Sequence, residues 1–311
     1  NVIGKIYAGI ADDMLTTTIM ATTAPKYLCP AMNTEMYNNP ITQRNLEGLR
    51  SLGYHIMDPA EGWLACGITG VGRLPEPEAI VDWLEAKMCS TNELEGTTIL
   101  VTAGGTQESI DPVRYIGNRS SGKMGYAIAE QAAHMGAKVI LVSAPTSLPI
   151  PSGVDFISVD SAVSMQEAVE ARYNDVNVVI MAAAVSDFRV LHKAEQKIKK
   201  MESMTIELVK NPDILQGLGS KKSHQILVGF AAETEHVIKY GQDKVAKKNL
   251  DMLVANDVSK SNAGFNVDTN EGYFLYPDKE PKEMPNMKKS ELARHILREV
   301  IDLVANKADI N

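Results

Sequence analysis

Cysteine is scarce in this 311-residue chain: Cys29, Cys66 and Cys89 are three, an odd number, and share no CxxC spacing. That excludes a disulfide framework and a structural zinc site, and it fits a reducing, cytoplasmic compartment. No run of about 18 apolar residues occurs, which excludes a membrane-spanning helix. Asn1-Val2-Ile3-Gly4-Lys5 is not the start of a signal peptide. Positive charge is also in short supply. A net charge of −8 excludes a general affinity for nucleic acid or anionic membrane, so any phosphate site must be local. An initiator Met is absent as well, and the start on Asn, before a Gly-Lys turn and a helix-like segment, leads us to expect a fragment.

What is present is ordinary globular composition, 44% hydrophobic and 23% charged, over a length that suggests two domains. Short β-branched apolar runs alternate with helical patterns, the mark of parallel strands joined by helical crossovers. The class is α/β. In the first part Lys26–Cys29 and Tyr54–Met57 read as strands, Pro40 opens a helix closed by Gly53, and residues 77–88 form another helix. Periodicity fails over 89–96, which places a boundary near residue 94 and domains at 1–94 and 95–311. Strands are expected at Thr98–Thr102, Val139–Val142, Val178–Met181 and Ile226–Gly229, with a helix over Tyr126–Met135. These suit a doubly wound sheet. The basic segment Lys197–Lys210 and the stretch 258–287, with its Asn, Gly and Pro, read as loops or arms at the sheet edge.

Thr102-Ala103-Gly104-Gly105-Thr106 follows a strand, where glycines let backbone approach a ligand; alone it could equally be a tight turn, since GxGxxG is missing. The spacing Gly117 to Gly122-Lys123 fits GxxxxGK, but Met124 replaces the Ser or Thr of a Walker site. Small residues before a helix still form an anion cradle, or simply a helix cap. Lys244 and Lys248, four apart, could present two ammonium groups to phosphates or form a solvated helix face.

The run Asp111–Gly125, with Ala182–Asp187, Lys197–Lys200, Lys210–Ile214, Gly229–Thr234 and Ala255–Val258, resembles the phosphopantothenoylcysteine synthetase family in order and spacing. The resemblance implies that CTP activates the carboxylate of 4′-phosphopantothenate, pyrophosphate leaves, and the amine of cysteine attacks the acyl-cytidylate. It implies Asn118, with Arg114 beside it, at the acyl intermediate, Ser120, Gly122 and Gly125 on the phosphopantothenate phosphate, and Gly105 on the substrate. Lys197 matches a mobile-flap lysine over the nucleotide phosphates. The nucleotide pattern carries over to Met181, Ala182, Ala183 and Asp187, to Pro212, Asp213, Ile214 and Leu215, and to Phe230, Lys244 and Lys248. Magnesium is implied as the triphosphate's counterion, with ligands that the sequence does not reveal.

Pro30-Ala31-Met32-Asn33-Thr34-Glu35-Met36 and Ala65-Cys66-Gly67-Ile68-Thr69-Gly70-Val71-Gly72-Arg73 resemble the flavin-dependent phosphopantothenoylcysteine decarboxylases. The resemblance implies the C-terminal part of a flavodoxin-like flavoprotein domain ahead of a Rossmann-like ligase domain. It puts Asn1, Val2 and Ala31 at FMN, Asn33 and Met36 on the substrate, and Cys66, on a Gly-rich flap, as proton donor. Asn33 could otherwise be a turn residue and Cys66 an inert buried thiol. The pattern also calls for an upstream segment with a catalytic His; His55 does not fill that role, so this half is expected to be catalytically incomplete. The family's ligases are dimers and its decarboxylases trimers, which implies a homo-oligomer. A nicotinamide-dependent Rossmann oxidoreductase and a non-catalytic flavoprotein scaffold are the alternatives.

Overall fold

Residues 1–64, 67, 69–88, 91–200, 202–233, 235–257 and 269–308 are described by the computed structural model, which divides into the units Asn1–Ser90 and Thr91–Asn311. Among the described residues no helix is long and apolar enough to cross a membrane.

The first unit begins with α1 (Val2–Ala8), which ends at Gly9 in the left-handed conformation. Gly4 and Lys5 therefore lie inside a helix, not in the expected turn. A lone helical glycine costs about 1 kcal/mol against alanine; at Gly48, in a later helix, packing outweighs that cost, since a Cβ there would lie only 2.2 Å from the Tyr7 ring. The second helix, α2 (Met14–Ala21), is capped by Asp13, whose carboxylate accepts from the Thr16 N–H at 2.8 Å. Next come β1 (Tyr27–Leu28), α3 (Thr34–Asn38) and α4 (Pro40–Ser51), the last with Pro at its first turn and the Asn39 amide oxygen accepting from the Ile41 N–H. β2 (His55–Ile56) runs parallel to β1, β3 (Ala60–Trp63) pairs antiparallel with β4 (Thr69–Arg73), and α5 (Pro77–Met88) follows. The expected four-residue strands shorten to two because, among the described residues, β1 and β2 pair only with each other.

The second unit opens with β5 (Thr98–Ala103), the short antiparallel pair β6 (Gln107–Ser109) and β7 (Tyr115–Gly117), and α6 (Lys123–His134). This helix starts three residues before Tyr126 because Gly122, at φ 77°, caps it. The chain continues through β8 (Lys138–Ser143), β9 (Val154–Ser158), α7 (Ala162–Glu170) and β10 (Val178–Met181). A separate ribbon, β11 (Phe188–Val190) with β12 (Leu208–Lys210), occupies part of the segment expected as loop. It is followed by α8 (Ile214–Ser220), β13 (Ile226–Glu233), α9 (Val237–Lys247), β14 (Met252–Asp257), β15 (Thr269–Leu275), β16 (Lys282–Lys288) and α10 (Lys289–Ala308).

Eight strands form the main sheet in the order β16-β15-β14-β13-β10-β5-β8-β9, with β9 through β14 parallel and the β15–β16 hairpin antiparallel. The hairpin corrects the expectation that 258–287 is loop. Pro285 is tolerated because β16 is an edge strand, where a missing N–H costs no ladder bond, and the register shifts beside it. Alternation along β5 sends Ile99, Val101 and Ala103 to the core under α6 and α10, and Leu100 to the core on the other face. Chain order reverses between β5 and β10. In a doubly wound sheet that is where the loops part and leave a crevice at the carboxyl ends of the strands.

Candidate active site

The loops that leave β5 and β10 are laced together across that crevice. Thr102 Oγ1 accepts from the Ala183 N–H at 3.1 Å, the Gly104 carbonyl from the Ala184 N–H at 2.8 Å, and Thr106 Oγ1 from the Ser186 N–H at 2.9 Å. Asn118 Nδ2 donates to the Val185 carbonyl at 3.3 Å. A Cβ on Gly105 would stand 2.8 Å from the Asn118 carbonyl, so the stretch between β5 and α6 also folds back on itself backbone to backbone. Between the β5 and β10 loops lies a cleft of about 350 Å³.

One wall of the cleft is the start of α6. Gly122 supplies the left-handed entry, and the missing side chain of Gly125 lets the helix sit against β5: a Cβ there would lie 2.6 Å from Ala103 Cβ and 2.8 Å from the Thr102 carbonyl. Free first-turn amides and the helix dipole favour an anion at such an end. Lys123, Lys244 and the buried Lys289 also line the cleft, so its charge opposes that of the chain as a whole.

Of the residues expected from sequence, Asn118, Ser120, Gly122, Gly125, Ala182, Ala183, Asp187, Phe230 and Lys244 all line this one cleft. Gly105 lines a neighbouring cleft of about 540 Å³, on the other side of the Asn118–Lys123 loop. Met181 is buried beneath the floor, its Sδ 3.8 Å from Thr102 Oγ1. Ile214 and Leu215 are core residues that could meet a ligand only through backbone, whereas Pro212 is half-buried and Asp213 exposed at the same helix start. Lys248 caps α9 one turn beyond Lys244, its N–H donating to the Lys244 carbonyl at 3.0 Å, and its ammonium pairs with Asp213 at 2.9 Å. Burial pushes the Asp213 carboxyl up, but Lys248 and the Gln216 amide outweigh burial and hold it below the usual carboxylate range. Arg114 does not turn to Asn118; its Nη2 donates to the Ile198 carbonyl at 2.9 Å, beside the exposed Lys197. Asn256, from the Ala255–Val258 block, also lines the cleft and is joined by a 3.0 Å hydrogen bond to Asn270; Asn270 and Lys289 line it as well and lie outside the blocks expected from sequence.

In the first unit the two sequence blocks meet. The Met32 N–H donates to the Gly72 carbonyl at 2.9 Å, and a Cβ on Gly72, at φ 138°, would lie 2.1 Å from the Met32 oxygen. Asn33 caps α3, accepting from the Glu35 N–H at 2.8 Å. Asn1, Val2, Ala31 and Met36 line a cleft of about 750 Å³, with Cys29, whose thiol burial pushes up, in the same wall. Cys66 lies outside the described residues. His55 stacks on Tyr27 at 4.8 Å.

A doubly wound sheet with an anion-cradling helix at its switch point defines a nucleotide- or phosphate-binding α/β protein. The model of the DNA/pantothenate metabolism flavoprotein C-terminal domain matches residues 94–304, and that of the flavoprotein family matches residues 1–89. The chain therefore belongs to the DNA/pantothenate metabolism flavoproteins. It is 49% identical over 307 residues to the coenzyme A biosynthesis bifunctional protein CoaBC of Bacillus subtilis, covering 97% of this chain and 76% of that protein. With the protein of the same name from Escherichia coli K12 it shares 44% over 306 residues, 97% of this chain and 75% of the relative. A crystal structure of the C-terminal domain of coenzyme A biosynthesis bifunctional protein CoaBC aligns with a TM-score of 0.61 at 44% identity, over 70% of this chain and 100% of that one. Membership in this family sets aside the nicotinamide oxidoreductase.

Proposed function

We propose that the second unit is a CTP-dependent phosphopantothenate–cysteine ligase, and that the first belongs to an FMN-dependent phosphopantothenoylcysteine decarboxylase. In the intact protein the two would catalyse consecutive steps of coenzyme A biosynthesis. The observation that carries the ligase reading is convergence: blocks separated by more than a hundred residues, from Asn118 to Lys244, line one cleft at the switch point.

In the ligase step a carboxylate oxygen of 4′-phosphopantothenate bonds to the α-phosphorus of CTP as pyrophosphate leaves. The amine of cysteine then bonds to the acyl carbon as CMP leaves. Ser120 and the backbone at Gly122 and Gly125 hold the phosphate of phosphopantothenate, where helix-end amides need no counter-charge. Ala182, Ala183 and Phe230 bound the nucleoside, with Asp187 beside them, while Lys244 and Lys197 bring ammonium groups to the triphosphate. Asn118, steadied by Val185, keeps its amide at the acyl group. Among the described residues no cluster of His, Cys, Asp and Glu could hold a metal ion. Magnesium would arrive with the triphosphate, held by phosphate and water.

The first unit's cleft suits a flavin: Asn1, Val2 and Ala31 line it, and the absent Gly72 side chain lets the Thr69–Arg73 strand close on Met32 without filling it. Bound FMN supplies oxidation of the substrate thiol and the later return of two electrons. Asn33 binds the substrate carboxylate and Cys66 returns a proton. The assembly is a homo-oligomer, dimeric through the ligase unit and trimeric through the decarboxylase.

The test supplies the purified chain with 4′-phosphopantothenate, cysteine and magnesium, with CTP or ATP, and follows pyrophosphate, nucleoside monophosphate and phosphopantothenoylcysteine by mass spectrometry. Cysteine-dependent product with CTP, lost in Lys197→Gln, is the expected outcome. No product with either nucleotide, or unchanged turnover in the variant, overturns the assignment.

A further inference from the structure

We propose that Asp111 is a positioning residue for the ligase reaction: with Arg114 it latches the Lys197 segment by gripping both backbone polar groups of Ile198. The Ile198 N–H donates to Asp111 Oδ2 at 3.2 Å, and the Ile198 carbonyl accepts from Arg114 Nη2 at 2.9 Å. The grip is preset. The other carboxylate oxygen, Oδ1, accepts from the backbone N–H groups of Val113 and Arg114 at 2.8 and 2.9 Å, and the Arg114 Nε lies 3.7 Å from Oδ2.

The carboxylate is fully buried, whereas Lys197 is exposed. Burial pushes the Asp111 carboxyl up, yet three backbone amides and the Arg114 charge outweigh it and hold the group below the usual carboxylate range. It stays an anion throughout neutral pH. Upstream, the Ala194 N–H donates to the Ile110 carbonyl at 2.9 Å, so the span Glu195-Gln196-Lys197 runs between two tethers on the same loop. That turn leads through β7 to Asn118 and on into α6, the wall of the cleft. The latch thus ties the exposed lysine to the loop that carries Asn118, and turns a long solvated side chain into one with a restricted reach. Positioning of this kind lowers the entropy lost when a flexible cation meets its phosphate.

The inference rests on the ligase reading, and the experiment separates the two. Asp111→Asn retains an oxygen for the Val113 and Arg114 amides but sets an NH2 donor against the Ile198 N–H. Ile198→Pro removes that N–H and leaves Asp111 intact. In the full chain each variant is measured by hydrogen exchange of the peptides spanning 191–200, and by kcat/KM for CTP and KM for cysteine. Loss of a hydrogen bond to a charged group predicts that exchange at 194–200 accelerates about tenfold or more and that kcat/KM for CTP falls by a similar factor. The KM for cysteine stays unchanged. Lys197→Gln, by contrast, loses turnover and keeps wild-type exchange. Wild-type exchange in both latch variants, or faster exchange with undiminished kcat/KM for CTP, overturns the latch. A wild-type chain that makes no product defeats the ligase reading instead, and the exchange data then decide by themselves whether Asp111 docks the segment.

Discussion

In the first unit three large aliphatic side chains, Leu46, Leu49 and Leu64, are buried among the described residues, while Met14, Trp63 and Leu52 stand 86%, 71% and 65% exposed. In the second, a sheet covered on both faces encloses two clusters, and side chains such as Ile99, Leu100 and Leu227 have no exposed surface. Apolar burial is the dominant favourable term in folding, and its yield rises with the size of the unit that shares a core. Candidate site positions in the second unit are therefore fixed by a packed scaffold. Those in the first, Asn33 and Ala31 among them, depend on short helices, two-residue strands and single caps.

Both tryptophans, Trp63 and Trp83, belong to the first unit, so their fluorescence reports that unit while far-ultraviolet circular dichroism reports both. In urea the fluorescence transition is expected to precede the main loss of dichroism; a single coincident transition would break the comparison. The largest expected effect comes from Leu227→Ala, which removes a fully buried side chain from β13 and costs about 2–5 kcal/mol. It should lower the later transition and leave the fluorescence midpoint in place.

A smaller effect appears in alkali. Burial, with the Asp251 charge, pushes Tyr173 up to about 12, and its hydroxyl donates to the Leu218 carbonyl at 3.0 Å. The folded state keeps this proton when the unfolded state has lost it, so the contribution is intact below pH 10 and is lost as pH rises toward 12. The loss amounts to at most about 3 kcal/mol. Tyr173→Phe should flatten the alkaline fall of the dichroism transition. Smallest are the caps: Asn39→Ala on α4 and Ser161→Ala on α7 each remove one side-chain acceptor, from the N–H of Ile41 and of Ser164, at a cost of about 1 kcal/mol. The comparison is sharpened if the Asn39 variant moves the fluorescence midpoint further than the Ser161 variant moves the dichroism midpoint, since the same cost is a larger share of a thinner margin.

The contrast also governs what was legible in the sequence. β5, β8, β10 and β13 announce themselves as apolar β-branched runs because they are buried on both faces. β15 and β16 do not, since Asn270, Gly272 and Pro285 are tolerated only through a bulge and an edge position that pairing creates. In the cleft, residues carried by contiguous blocks were readable. Asn270 and Lys289 were not, because they approach Asn256 and Lys244 only after the hairpin folds back beside β14. The same holds for Arg114, whose partner Ile198 is 84 residues away, and for Lys248, whose charge is taken up by Asp213 from another helix start. Spacing along a chain reports neighbours on one element; it carries little about which cation another element has claimed.

The lacing of the crevice sets a schedule for the newborn chain. The hydrogen bonds that close it join residues 67 to 81 positions apart, from Asn118 to Val185 and from Thr102 to Ala183. Closing a loop of about eighty residues costs about 4 kcal/mol of chain entropy before any contact compensates it. A ribosome that has not yet released Ser186 carries a polypeptide with the α6 sequence complete and no closed cleft, so a ligand of that cleft cannot rescue early folding and can only trap the sheet once its central pair has formed.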